Sequence, residues 1–328
     1  MADATPEPIM KVAMGFMAAK HLFVASEVGL FEALAAGPAT IEELAGRTGV
    51  PARTIAIAAA AMVSLQFIEQ HGDRYQNGEP AAAFLAGKPG PDLRPMLRFW
   101  DQISYPTWQR LADAVRTGHG QAHLGAFDKR QQEIFSAGVE VFTGPGAAAL
   151  AANYDFGRHS KVLDVAGGTG SFLVAVLKRH PDLRGTLFEL PGPCAVARQK
   201  LARLPEGARI DIVEGDVFKS PLPAGHDALI VAHTAHVFSA AHNIELMRKM
   251  RAVVAPGARL LLVDLWTDPT HTQPGPAALI SGEFLVLSGE GQVYSEQEAD
   301  AWLGHTGWKK VDKMPLAGPA SVIVAEAV

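Results

Sequence analysis

Lys161-Val162-Leu163-Asp164-Val165-Ala166-Gly167-Gly168-Thr169-Gly170-Ser171-Phe172 is the most informative run in this chain. A β-branched apolar stretch breaks at the carboxylate of Asp164 and turns through a glycine cluster. It resumes as a helical pattern from Ser171 to His180, which Pro181 stops. A strand passing through a glycine-rich turn into a helix N-terminus is how open α/β sheets bring backbone close to a nucleotide. The turn departs from the pyrophosphate pattern G-x-G-x-x-G, whose third glycine permits tight helix–strand packing. Counted from Gly168 that third position is Leu173, and counted from Ala166 the first position is not glycine. Asp164, just ahead of the turn, would repel a diphosphate and attract an ammonium group.

Working outward, the next two apolar runs also end in acids. Glu189 closes Gly185–Leu190, about twenty residues past the glycines, the spacing of a ribose-hydroxyl acceptor. Asp216 follows the run Arg209–Gly215, in Glu214-Gly215-Asp216-Val217-Phe218. There it can accept from an adenine amino group while Phe218 covers the ring and Val217 lies between them. Any one of these acids alone reads as a solvated strand-end residue. Three at successive strand ends point to a nucleoside with an amino-acid tail, S-adenosyl-L-methionine (SAM). From Ser160 onward, strands are expected at 161–166, 185–189, 209–214, 227–232, 259–264, about 308–312 and 321–326. The pattern alternates strand and helix to the end. The helix between the fourth and fifth strands opens at Ser239 and ends at Pro256-Gly257. Such a series predicts an α/β class protein with a doubly wound, Rossmann-like parallel sheet.

Upstream, Met10 to Ala35 carries helical periodicity up to Gly37-Pro38. Thr40-Ile41-Glu42-Glu43 forms a capping box, and a second helix starts at Pro51 and runs through Ile55–Val63. Phe67–Tyr75 reads as two short strands around a Gly-Asp turn. This is the outline of a winged helix-turn-helix, which raises DNA binding. The reading helix, however, offers Arg53 and otherwise mostly alanine and isoleucine, so the phosphate and base contacts such binding needs are missing. An apolar helix of that kind is buried or a dimer contact. The region 92–154 reads as a helical bridge rich in aromatics, punctuated by Gly118-His119-Gly120 and Gly144-Pro145-Gly146. Trp100, Phe135 and Phe142 are its candidates for a substrate pocket, joined by Phe284 and Val293 further along.

The 328 residues exceed one typical core, so two domains are expected. A net charge of −5 argues against a nucleic-acid surface or a polybasic membrane patch. A lone cysteine, Cys194, forbids an internal disulfide and suits a reducing compartment. The acidic start, Met1–Pro8, lacks the apolar core of a secretion signal, and no uncharged run reaches membrane-span length. The expectation is a cytoplasmic enzyme acting on a small molecule, with neither nucleic acid nor membrane as a partner.

Chemistry is expected beyond the carboxyl ends of the strands. The fourth strand ends in Ala232-His233-Thr234-Ala235-His236 and the fifth in Leu262-Val263-Asp264. A histidine titrates near neutrality, so His236 is the candidate to take a proton from a hydroxyl, with Asp264 fixing its tautomer. His233 and His236, with His226 and His242 nearby, also raise a metal site. Three-residue spacing suits a helix, but this is a strand end, and no cysteine or acidic cluster completes the set. No metal is expected.

Taken together, Val162–Phe172, Phe188-Glu189-Leu190-Pro191, Glu214–Phe218 and Pro256–Asp264 resemble the small-molecule O-methyltransferases of the plant caffeic-acid type and their bacterial natural-product relatives. The resemblance runs over nearly the whole chain. It implies a class I methyltransferase fold with a winged-helix dimerisation domain (1–100), a helical bridge contributing to the substrate pocket (101–155) and a SAM-binding domain (156–328). It further implies SAM contacts at Gly167, Gly168, Gly170, Glu189 and Asp216, His236 as general base and S-adenosyl-L-homocysteine (SAH) as product. A homodimer whose N-terminal domain reaches into the partner's pocket is also implied, as is an acceptor among aromatic or polyketide-like metabolites. The chain departs from the family pattern at Ala166, Ala232 and Val237-Phe238, and has Val293 where a second acid usually flanks the histidine. Carbon methylation or a non-methylating reaction on the same fold therefore stays open. An NAD-dependent oxidoreductase is disfavoured by the missing third glycine.

Overall fold

The computed structural model describes residues 4–120 and 126–328. They fall into two compact units that divide between Ile103 and Ser104, a few residues past the expected end of the first domain.

The first unit is helical with a small hairpin. Its opening helix spans Glu7–Glu27, and Gly29, at φ +75°, turns the chain into a separate short helix, Leu30–Ala33. The periodicity that reads as one helix to Ala35 is thus two, because only glycine adopts that left-handed turn at no steric cost. Both halves of the expected capping box form: Glu43 N–H donates to Thr40 Oγ1 and Thr40 N–H donates to Glu43. The following helix, Ala52–Ser64, buries Ile55, Ala59 and Met62, one stripe at helical spacing. Strands β1 (Ile68–His71) and β2 (Arg74–Asn77) close as an antiparallel hairpin. Most of the exposed large apolar residues of this unit lie on the first helix, where Ile9 is 73% and Val12 81% exposed, with Met10, Met14 and Phe16 also open; Ile57 and Phe84 are exposed elsewhere.

The second unit is built on a seven-stranded sheet. Its strands are β3 (Lys161–Val165), β4 (Arg184–Glu189), β5 (Ile210–Glu214), β6 (Ala228–Ala232), β7 (Arg259–Leu265), β8 (Trp308–Pro315) and β9 (Ala320–Ala327). Their order is β5-β4-β3-β6-β7-β9-β8. The first five are parallel, while β9 runs antiparallel to β7 and β8 antiparallel to β9. The sheet is therefore mixed at one edge rather than parallel throughout. Only the loop 316–319 separates β8 from β9, too short for the crossover that a parallel pair demands.

Alternation along the strands loads two cores. Leu163, Leu229, Leu260 and Ile323 face one side with Leu246, Met250 and Trp302. Val162, Ile230, Leu261 and Val322 face the other with Leu150, Leu173 and Val176. Both faces are covered, which is why β6 (Ala-Leu-Ile-Val-Ala) is apolar and buried at every position. The helix Lys129–Asn153 runs straight through Gly144-Pro145-Gly146, which does not punctuate it. Packing of Ala147, Leu150 and Ala151 into the second core outweighs the local cost of proline there. From β3 the chain winds outward through β4 and β5, then returns to β6 on the other side. The crevice at this reversal, beyond the carboxyl ends of β3 and β6, is where such sheets bind ligands.

Candidate active site

Three residues of the turn after β3 have positive φ: Ala166 (+55°), Gly168 (+59°) and Gly170 (+79°). Ala166 holds that conformation although it carries a Cβ, and its N–H donates to Phe188 O at 2.8 Å. Gly167 is required for a different reason. A Cβ there would overlap the Asp164 carboxyl group. Gly167→Ala is accordingly expected to displace the turn or the acid and to weaken SAM binding at least tenfold by calorimetry; wild-type affinity in a folded variant would contradict this.

Asp164 lies fully buried beneath the turn, and neither of its oxygens has a hydrogen-bond partner among the described residues. Burial, and then the charge of Glu189, push its pKa up to about 8. Glu189 is buried too, and burial keeps its pKa above the ordinary range. It accepts from Gly168 N–H at 2.8 Å and Leu190 N–H at 2.6 Å, so the acid at the end of β4 tethers the turn after β3. Asp216 is more open. Burial opposes its ionisation, but the Phe218 N–H at 2.9 Å and Lys219 at 3.0 Å hold it below the usual carboxylate range. Phe218 meets Phe238 edge-on, with ring centroids 4.9 Å apart, and lies against His242. Val217 packs into the core.

The turn has a support that motif reading misses. Glu140, from the helix Lys129–Asn153, accepts from Lys200 Nζ at 2.7 Å, from Thr169 Oγ1 at 2.6 Å and from Ser171 Oγ. The only sequence signal is a single acid within the mostly apolar run Phe135–Gly146.

Strand β6 ends at Ala232. His233 follows with φ +53°, and a short 3-10 turn, Ala235–Val237, then carries His236. The Asn243 side-chain amide donates to Ala235 O, Phe238 O and Ser239 O, fastening this turn to the next helix. His236 Nδ1 donates to Asp264 Oδ1 at 2.5 Å, and Leu265 N–H donates to the same oxygen at 2.8 Å. The His236 backbone N–H reaches Asp264 Oδ2 at 3.3 Å. Burial disfavours the Asp264 charge, yet His236 outweighs it and keeps that carboxyl below the ordinary range. With Nδ1 committed, Nε2 is the nitrogen left for an acceptor. Phe284 stacks on the imidazole at 3.7 Å. His233, its Nδ1 buried without a partner, lies between Phe142 at 5.6 Å and Phe172 at 6.2 Å, and burial pushes its pKa down to about 4.

The aromatic candidates separate. Phe284 and Phe142 stand at the histidines, whereas Phe135 pairs with Phe127 at 5.4 Å and Trp100 belongs to the first unit. Val293 is 1% exposed in an apolar cluster with Leu265, Ala277 and Ala320, so it presents no side-chain surface to a ligand. Val293→Glu is expected to lower stability by several degrees in a thermal melt, because it buries an acid among apolar side chains. An unchanged melting temperature would show room for a second acid. A separate cleft of about 480 Å³ opens near the amino ends of β3, β6 and β7. Its charges are already engaged, Asp227 by Ser160 and Lys161 and Arg259 by Glu326.

The O-methyltransferase domain model matches residues 108–309, and the O-methyltransferase dimerisation domain model matches residues 10–87. The chain is 32% identical to 3-hydroxy-5-methyl-1-naphthoate 3-O-methyltransferase of Streptomyces sahachiroi, across 96% of this chain and 93% of that protein. It is 28% identical to the tetracenomycin polyketide synthesis 8-O-methyl transferase TcmO of Streptomyces glaucescens, across 97% and 96% of the two chains. The solved structure of PigF with SAH superposes with a TM-score of 0.89 at 28% identity, covering 98% of this chain and all of PigF. A glycine turn over a buried acid, a histidine–aspartate pair at the adjacent strand ends and both domain matches lead to one conclusion: this chain is a member of the SAM-dependent O-methyltransferase family.

Proposed function

We propose that the protein transfers the SAM methyl group to a phenolic hydroxyl of an aromatic, polyketide-like metabolite, with His236 as general base and Asp264 as its orienting partner. The observation that carries this is the 2.5 Å hydrogen bond from His236 Nδ1 to Asp264 at the carboxyl ends of β6 and β7, one strand from the cofactor turn. The turn suits SAM. Asp164, once the cationic groups of SAM draw off its proton, and buried Glu189 would place negative charge under the glycines, which favours an ammonium and a sulfonium over a phosphate. Asp216 and Phe218 sit at the end of β5, where an adenine would lie. Bound there, SAM supplies an electrophilic methyl group. The protein's share is to hold the hydroxyl in line, exclude water and take its proton on His236 Nε2. Phe284 fixes the imidazole plane, and Phe142 supplies an apolar wall.

The test is turnover of SAM with hydroxylated naphthoates and anthracyclic phenols, followed by mass spectrometry of SAH and of the methyl ether. Formation of SAH with phenols and not with their O-methyl ethers supports the reading. Turnover of amines alone, or methyl on ring carbon, would overturn it.

We further infer a homodimer formed through the N-terminal unit. The exposed apolar residues of Glu7–Glu27 are more than a lone soluble chain usually leaves open, and they overlap the dimerisation-model match. That helix is also long and apolar enough to cross a membrane by composition alone, as is Lys129–Asn153. The dimerisation match argues for a second copy instead. Light scattering at micromolar concentration should give twice the chain mass, and Val12→Glu should shift it toward one. A monomer that sediments with vesicles would favour the membrane. The buried, free Cys194 fits a reducing, cytoplasmic setting, and no nucleic-acid partner is proposed.

A further inference from the structure

We propose that His233, His236 and Asp264 form a site for a borderline transition-metal ion of the zinc type, and that its occupation silences the base. In a continuing strand, residues three apart point to opposite faces. Here β6 stops at Ala232, His233 takes a left-handed conformation, and the 3-10 turn Ala235–Val237 brings the second ring round. The two imidazole centroids end 6.0 Å apart. One ligand atom from each of His233, His236 and Asp264 lies within 4.8 Å of the other two. The strand geometry that disfavours a metal set at this spacing ends at Ala232 and does not hold at His233.

Two further observations point to a ligand. His233 Nδ1 is buried and has no hydrogen-bond partner among the described residues, so a donor atom has been desolvated without compensation. The site also has an outer shell: Leu265 N–H holds Asp264, while Phe142 and Phe172 flank His233 and Phe284 covers His236. Two imidazoles and one carboxylate suit Zn²⁺, Co²⁺ or Ni²⁺, whereas Mg²⁺ and Ca²⁺ prefer oxygen alone. With metal–ligand bonds of about 2.0–2.1 Å, a tetrahedral ion would set ligand-atom separations of roughly 3.3 Å, so His233 would move in while His236 Nδ1 and Asp264 Oδ1, 2.5 Å apart without the ion, would part. Asp264 would then exchange its bond to His236 for the ion. An imidazole whose lone pair is bound to metal cannot accept a hydroxyl proton. The ion and the acceptor's deprotonation are therefore mutually exclusive.

The inhibition rests on the reading of His236 as base; the binding does not, and the test separates them. Without SAM, the full-length protein is titrated with Co²⁺, followed by its visible d–d bands, and with Zn²⁺ by calorimetry. One ion per chain is expected. His233→Asn should weaken binding tenfold or more, and asparagine is chosen because it tolerates positive φ. Asp264→Asn, which keeps a hydrogen-bond acceptor but removes the anionic ligand, should weaken it too. In turnover assays, Zn²⁺ should inhibit the wild type, EDTA should reverse this, and His233→Asn should resist. Absence of cobalt bands, or binding unchanged in both variants while they remain folded, would overturn the site. Binding that depends on His233 but leaves turnover intact would overturn the silencing. If no methyl transfer is found at all, the cobalt titration still decides the site.

Discussion

Turnover by His236→Ala is expected to fall roughly a hundredfold or more, the scale for losing a positioned proton acceptor. SAM affinity should stay close to wild type, because the glycine turn and its acids lie at the ends of β3, β4 and β5 and, among the described residues, form no hydrogen bond with this ring. The comparison variant is Asp264→Asn. Its amide oxygen can keep the bonds from His236 Nδ1 and Leu265 N–H, giving up only the 3.3 Å contact with the His236 backbone. It loses the charge that supports the imidazolium and keeps the imidazole, so its loss should be smaller. His236→Ala also leaves Asp264 buried without its main partner, which costs stability. Assays therefore belong well below the melting point of the variant, and His236→Gln serves as a polar replacement. Near-normal turnover in both His236 variants would remove the base from the mechanism, leaving methyl transfer to an already ionised or carbon nucleophile.

Much of this site can be read from sequence because its parts sit at element boundaries. Strand ends, glycine turns and caps are written in local residue types, so Asp164, Glu189, Asp216, His236 and Asp264 stand out one by one. What local reading cannot supply is which way a side chain turns after a strand stops. The left-handed backbone at His233 is the clearest case, since histidine gives no local warning of it. The same limit hides Glu140, Asn243 and Glu283. Each is one polar residue among several in its helix, and each acquires a role only when another element arrives: the glycine turn at Glu140, the His236 turn at Asn243, and Ser104 with Trp108 at Glu283. Val293 shows the reverse error. Position relative to a family pattern suggests a pocket, but packing against Leu265 and Ala277 makes it core.

Asp164 trades stability for binding, and the largest pH effect should come from it. A carboxyl group with a pKa pushed up to about 8 is mainly protonated at neutral pH in the free protein. The unfolded chain would ionise it near the ordinary value, about 3.9. The folded state therefore holds the extra proton between those two values. The stability contributed by protonated Asp164 is fully present below the lower value and is lost as pH rises through about 8. Asp164→Asn keeps the shape without the charge, so the ligand-free variant should melt several degrees above wild type at pH 8 and nearer to it at pH 5. Binding runs the other way. A ligand bearing a sulfonium and an ammonium favours ionised Asp164, so SAM should displace its proton and bind more tightly as pH rises from 6 toward 8. Calorimetry at pH 7 in two buffers of different ionisation enthalpy would count the protons released. Asp164→Asn is the control that keeps the titration of the ligand's own amino group and so lets it be subtracted, and in it both the release assigned to Asp164 and most of the affinity should vanish. Glu189 remains in that variant with its two backbone N–H bonds, so a residual pH dependence beyond the ligand's own belongs to it. If wild type and Asp164→Asn bind SAM with the same affinity and the same proton count, the buried carboxylate has no part in cofactor recognition. Its unpartnered oxygens would then be a cost of the fold with no functional return.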